Sequence, residues 1–555
     1  MWRKSANPVP APLASAVDPA LASPLGLFPG GDFRLTSGRC SDCTTIPQAL
    51  WYFTDETIAV PRPGVPVAAF ARGVTAWQDL AQWTASPDAT TAAAAPPLVW
   101  IAAPEVLRHA TLAQDGATLF ADSERWSFEP VPKIALNRSY FNAASIAYLA
   151  LRPLTVRGSR RDGSFIARTI WPEAFRLDSS APLQPVDATP AALRALVRAE
   201  AHGGAQSPFA TIPLWERAPG AARRWHDAPV LAAMLNGAQG DDDESLAGHF
   251  ALVTGRVGGT GNGAGPGAMD DWLANNFYTL DNESEKGIHA SMLPLDNYLA
   301  DLNSGQAWYR PSYLIIAVLK SERVANWIQG ALARTYNQFY RHQLVYDHAT
   351  MNCTSISVDV LRTLGWKIPP RGATSGVAAA LGLPYFALRE RSLAKAAQHF
   401  DYLTEEQTRL FPAAAFEEIG ADLLRFATGQ ATRAPTALES MLIEDLDAIV
   451  FVRVPQLPSS RVWGDYPVAG AREYRARLPS DPAKTQIIPV PPRPFPDHLR
   501  EPDLLPPPRR RSDIAIAVWA ALSIVGIPWL LWRLGQRWRR RAPPHVPLSP
   551  SRTSG

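Results

Sequence analysis

Cysteine is scarce in this 555-residue chain, with three residues, Cys40, Cys43 and Cys353. That excludes a disulfide-dense scaffold. Cys40-Ser41-Asp42-Cys43 has no second Cys or His pair nearby, which speaks against a zinc site needing about four ligands. The expectation is no metal and no organic cofactor. A basic body is lacking too: the formal charge is +3, but residues 509–555 hold nine arginines and one aspartate, so the first 508 residues carry −5. A slightly acidic body argues against a nucleic-acid enzyme, which carries a basic footprint. The glycine-rich stretch Gly258–Gly267 lacks the Gly-Lys-Ser/Thr of a phosphate loop and reads as a hairpin loop. Residues 1–30 contain no apolar core of signal-peptide type, and prolines at 8, 10 and 12 break the one candidate.

Long hydrophobic runs are rare, and the single clear one stands out. Ile514 to Trp532 is 19 residues without a charge. As a helix it spans about 28 Å, close to the ~30 Å hydrocarbon core of a bilayer. Arg509-Arg510-Arg511 precede it and Arg533, Arg537, Arg539, Arg540 and Arg541 follow it; Trp529 and Trp532 sit near its end, where interfacial tryptophans are favoured. The spacing predicts a transmembrane helix over 513–533. The arginine bias places the tail 534–555 in the cytoplasm and the body outside.

The rest is 46% hydrophobic and 19% charged, enough to build a core, and its length suits more than one domain. Proline, 52 residues, demands long non-helical connections. Residues 1–40 are expected to be disordered. Residues 41–238 read as an accessory α+β domain. Its strand candidates are Pro97–Ala102, Ser127–Ile134, Leu151–Val156 and, after the turn Arg161-Asp162-Gly163, Ser164–Trp171. A helix capped by Thr189 with Pro190 in its first turn follows. Residues 239–430 carry strand candidates His249–Val253 (continuing to Val257), Asn276–Leu280 and Tyr313–Leu319. A helix is predicted over Arg323–Val345 and another from Cys353 to Leu364, stopped by Gly365. Further helices are expected over 380–445. Residues 431–508 read as a linker with one strand, Asp447–Val454, and an extended Pro-rich stretch from 479 that holds the body off the bilayer. Asp241-Asp242-Asp243-Glu244 reads as a solvated acidic loop, with a cation site as the alternative.

Asn352-Cys353-Thr354 stands where a helix begins. The unsatisfied N–H groups there stabilise a thiolate, and the Cys353 N–H points where an oxyanion would form. A histidine within reach would complete a Cys–His pair. His249 is the choice, with His289, His342 and His348 as rivals. If the body is exported, Cys40 and Cys43 pair with each other, leaving Cys353 as a buried packing residue or a working thiol.

The order of these pieces is histidine on a strand, two further strands, a long helix, then Asn-Cys opening the next helix. It resembles a circularly permuted papain-like, NlpC-type fold. Three pieces, Ala247-Gly248-His249-Phe250-Ala251-Leu252, Asn276-Phe277-Tyr278 and Tyr346–Thr354, resemble the Lnb N-terminal periplasmic domain family of bacteria, associated with lipoprotein N-acyltransferases. The likeness covers about residues 240–370, with Ala247 where that family usually carries an aromatic. It implies Cys353 as nucleophile, His249 as general base and Asn276 as the group orienting the imidazole, with Asn275, Asp281 and His289 as competitors for the last role. It implies a body in the periplasm, anchored in the bacterial inner membrane, with the true start upstream of Met1 rather than a cytosolic tail-anchored body. The resulting expectation is an α+β protein, with a permuted papain-like catalytic domain, an accessory α+β domain and one C-terminal membrane helix. Its activity would be thiol acyl transfer from a membrane phospholipid to the amine of a lipoprotein. The alternatives are a cell-wall peptidase, amidase or lipase using the same pair, and a non-catalytic module held at the membrane.

Overall fold

The computed structural model describes residues 18–87, 89, 94–133, 141–199, 206–239, 246–259, 265–280, 288–459, 463–477 and 494–541. The acidic run 241–244, Asp281, residues 1–17, the middle of the glycine-rich loop and the stretch 479–493 lie outside the described residues. The chain is α+β and divides into two compact units, Met1–Thr374 with Glu405–Pro507, and Ser375–Thr404 with Pro508–Gly555.

Among the described residues, fifteen strands belong to the first unit. They are β1 (Phe33–Ser37), β2 (Thr57–Pro61), β3 (Val99–Trp100), β4 (Glu105–Leu112), β5 (Thr118–Ala121), β6 (Glu124–Pro130), β7 (Pro153–Arg161) and β8 (Ser164–Pro172). Then come β9 (Ala210–Glu216), β10 (Pro229–Asn236), β11 (His249–Arg256), β12 (Leu273–Asn276), β13 (Ser291–Pro294), β14 (Ser312–Leu319) and β15 (Leu446–Val454). Ten of them form one sheet in the order β1-β2-β3-β13-β12-β11-β10-β14-β15-β9, antiparallel except where β13 meets β3. Strands β10 and β14 are buried along their whole length. They read as continuous apolar runs because helices pack on the sheet: Arg323–Tyr340, Cys353–Thr363 and Pro412–Ala427. The helix Pro190–Val197, with the Thr189 hydroxyl accepting from Ala192 N–H as expected, packs on Pro412–Ala427.

The remaining five strands close into a small barrel, β4-β5-β6-β8-β7. The β7–β8 hairpin turns at Asp162 and Gly163, both with positive φ, the two-residue turn that matches strand twist. Charge ties the barrel to the sheet. Fully buried Arg157 on β7 bonds Asp271 (2.9 Å) and Asp296; Arg108 on β4 bonds Asp270 and Asp271.

Several expectations need correction. A boundary at 238/239 cuts between β10 and β11, which pair along eight residues, and β1, β2, β3 and β9 belong to the same sheet. Accessory and catalytic parts therefore share one core. Residues 18–40 are ordered: Leu21, Leu25, Phe28 and Phe33 are buried against Val99, Ile101 and Leu273. The 431–508 segment is no spacer. Its strand β15 sits between β14 and β9, and Phe495 packs against Trp51, Tyr52 and His342. Glu501 bonds Arg341, which is 2% exposed, so the end of the Pro-rich segment is held on the body by a buried charge and a ring. The catalytic span 239–430 also ends differently, since 375–404 belongs to the second unit.

In that second unit, helices Gly376–Arg389 and Leu393–Thr404 pack on each other, and the latter packs on the C-terminal helix. The run Arg511–Arg537 is long and apolar enough to cross a membrane and is unburied. Leu522–Gly526 forms a π-helical turn that ends two residues before Pro528, whose missing N–H and ring disfavour a regular α-turn.

Candidate active site

Gly248 adopts φ +78°, and a Cβ there would stand 2.5 Å from the Asn236 carbonyl oxygen and 2.7 Å from Pro467. Only glycine fits both the conformation and the gap. It brings the chain into β11 with His249 at the strand's first position, opposite Asn236. Strand β12 lies next to β11 and ends at Asn276, so both residues stand at the same end of the sheet. The expected strand Asn276–Leu280 is thus displaced. Pairing covers Leu273, Ala274 and Asn275 against Thr254, Val253 and Leu252, and the chain leaves the ladder at Asn276.

The cysteine arrives from the helix side. Asn352 caps the helix Cys353–Thr363. Its Oδ1 accepts from the N–H groups of Thr354 and Ser355 (both 3.0 Å), and its amide donates to the carbonyls of His348 (3.1 Å) and Leu410 (3.0 Å). All four hydrogen-bonding positions of that side chain are used. Asp347 and Met351 exchange two backbone hydrogen bonds across the preceding turn. Cys353 is therefore placed by a cap that is itself tied to two loops.

Three side chains named from the sequence meet here. His249 Nε2 is 2.7 Å from Asn276 Oδ1, and the Asn276 amide donates to the His289 carbonyl at 2.7 Å, which fixes which end of Asn276 faces the ring. His249 also stands close enough to the Cys353 sulfur for its charge to lower the thiol pKa. With Nε2 engaged by Asn276, the other ring nitrogen is the one left for the thiol. Exposures are 4% for Cys353, 7% for His249 and 3% for Asn276. Burial raises the thiol pKa, but the His249 charge, the Phe250 N–H and the Thr354 hydroxyl outweigh it and lower it to about 7.

The rivals are occupied elsewhere. His289 bonds Glu56 and Lys133, His342 meets the Tyr52 hydroxyl at 2.6 Å, and His348 is exposed with its ring against Tyr346. Asn275 points to Gln329 and the Leu252 carbonyl.

Three tyrosines that sequence reasoning left without a role line the site. Tyr298 lies over the His249 ring (centroids 6.4 Å, 29°) and donates to Asn236 at 2.5 Å. Half-buried Tyr278 and Tyr346 sit on the outer side, ring centroids 5.9 Å apart. The Tyr346 hydroxyl lies against both the Cys353 sulfur and its backbone N–H, and burial together with the neighbouring thiolate holds that phenol protonated, well above its usual range. Its only sequence signal is a tyrosine seven residues before Cys353. Elsewhere, Cys40 and Cys43 form a disulfide. Their sulfurs with Asp42 make the one group of three, among the described residues, spaced closely enough to hold a metal ion, and the disulfide removes those sulfurs as thiolate ligands.

No protein family, no curated protein and no solved structure matches this chain.

Proposed function

We propose that the chain is a membrane-anchored thiol acyltransferase. The observation that carries the reading is the convergence of Cys353, His249 and Asn276 from three separate elements, with the thiol depressed to about 7. The succession of histidine strand, asparagine strand and cysteine helix, with that helix packed on β11, supports a permuted papain-like core related to the Lnb-type acyltransferases. The Cys40–Cys43 disulfide supports an exported body, and the Arg511–Arg537 helix supports an anchor in the inner membrane.

In the proposed reaction, the Cys353 thiolate attacks an ester carbonyl of a phospholipid. The oxyanion forms within reach of the Cys353 N–H, with the protonated Tyr346 hydroxyl as a second donor. As the C–O bond breaks, His249 gives its proton to the leaving alkoxide, yielding a lysophospholipid and an acyl-thioester. An amine, such as the N-terminus of a lipoprotein, then attacks the thioester. His249 takes the amine proton, the C–S bond breaks and the thiolate returns. Asn276 keeps the imidazole aligned through both steps. Tyr278 and Tyr346 cover the thiol, so the acyl chain enters as these half-buried rings give way.

Incubating purified protein with phosphatidylethanolamine vesicles and measuring intact mass tests this. The expected result is a mass gain of one acyl chain, lost on hydroxylamine treatment and absent in Cys353→Ser. A folded protein that gains no mass overturns the reading. Release of free fatty acid, or of peptide from cell-wall fragments, at equal rates with and without an amine acceptor assigns the pair to hydrolysis instead.

A further inference from the structure

The second unit carries an apolar surface that the catalytic reading does not use. On the helix Gly376–Arg389, Val377, Leu381, Tyr385 and Leu388 are 73%, 67%, 58% and 81% exposed. At 100° per residue these positions fall within about 80° of one another, a single stripe. The opposite side is buried at Ala379 and Leu383, where the helix Leu393–Thr404 packs. Among the described residues the stripe is therefore a face with no protein against it, and Leu393, also exposed, extends it at the hairpin turn.

The same hairpin is bolted to the foot of the membrane helix. Asp401 accepts from Ser512 N–H (3.1 Å) and from the Ser512 hydroxyl (3.0 Å), a buried contact, and the Arg511 guanidinium bonds the Thr404 carbonyl. Ser512 is the second residue of the apolar helix, at the level where its polar flank ends. The hairpin's own basic residues, Arg389, Arg391 and Lys395, are exposed, as are the arginines 509–511 of the same unit. An apolar face rimmed by basic residues matches a helix lying in the headgroup region of anionic lipid.

We infer that the helix Gly376–Arg389 lies in the bilayer interface beside the membrane helix, with Val377, Leu381, Tyr385 and Leu388 toward the acyl chains. This rests on Arg511–Arg537 spanning the membrane. It gives the protein a second membrane contact, a lateral foot that fixes the rotation of the anchored unit where a lone helix would spin.

The test uses full-length protein with Cys353→Ser, so that an added cysteine is the one free thiol. Leu381→Cys and, separately, Val518→Cys are labelled with a nitrobenzoxadiazole probe. Both are reconstituted into phosphatidylethanolamine–phosphatidylglycerol vesicles. The expected result is a blue shift at position 381, with loss of emission to headgroup-level nitroxide lipid and little loss to aqueous iodide. Position 518 is expected to be quenched by nitroxide deep in the acyl chain. Quenching at 518 with position 381 open to iodide overturns the lateral foot and leaves the anchor standing. If neither position is quenched by lipid, the anchor itself is wrong. Position 381 shielded from both quenchers, with self-quenching that grows with protein density, assigns the stripe to a second copy of the chain and overturns the lipid contact.

Discussion

The thiol at the start of the Cys353–Thr363 helix is governed by two opposed effects, burial against an imidazole and two further hydrogen-bonding contacts, from Phe250 and Thr354. Their balance sets a measurable titration. Alkylation by iodoacetamide needs the thiolate, so its rate should climb as pH rises through about 7 and level off above, whereas a free cysteine turns on near about 8.5. In His249→Ala the lowering contributions shrink while burial stays, so the midpoint should move above the free-cysteine value; a midpoint unchanged at 7 would refute the pairing. The sign for stability follows. The folded thiol is depressed from 9.0, so its contribution is present in full above pH 9 and is lost as pH falls through about 7. Asn276 acts at one remove, through the imidazole. Asn276→Ala should leave alkylation largely intact yet slow acyl-thioester formation about 100-fold, the scale expected when a reacting group loses alignment.

The strand β12 reaches the site through residues that its own propensity disfavours. Asn275 and Asn276 are poor strand formers, which is why a sequence reading prefers the aromatic run that follows them. They occupy β12 because their amides are needed, one by Gln329 and the Leu252 carbonyl, the other by His249. Gly248 is a similar case. Gly248→Ala forces a Cβ into the left-handed region and onto the Asn236 carbonyl, so it should cost about 1–3 kcal/mol in urea unfolding and displace His249. Asn352→Ala removes a helix cap and strands two carbonyls. A loss of about 1–2 kcal/mol, read as a lower midpoint at constant slope, is expected. The helices Cys353–Thr363 and Pro190–Val197 were legible because caps and stops are local signals. His249 and Cys353 could be picked out as candidates because each sits in a short piece of chain whose chemistry reads locally.

At the scale of the whole chain, legibility fails for a physical reason: the contacts that define it are distant in sequence. Nothing local says that β3 will meet β13 or that β6 will pair with β8 to close a barrel, and no turn signal reports a parallel neighbour. The Pro-rich end of the body reads as a spacer by composition, yet Phe495 and Glu501 fasten it down. The buried arginine set where barrel meets sheet tests this view of a single core. Arg157→Met leaves Asp296 buried without its guanidinium and Asp271 with Arg108 alone, and should cost about 3–5 kcal/mol in one cooperative urea transition. Two separate transitions would instead restore independent domains.

The edge strand β9 has a consequence for how the protein is made. Residues 210–216 find their partner only at residues 446–454, and β3 waits for residue 292. During synthesis about 230 residues must leave the ribosome after β9, with its hydrogen-bonding edge open, before the last slot is filled. Such a nascent chain depends on a holding chaperone, and premature termination before codon 446 should yield aggregates rather than a smaller folded fragment.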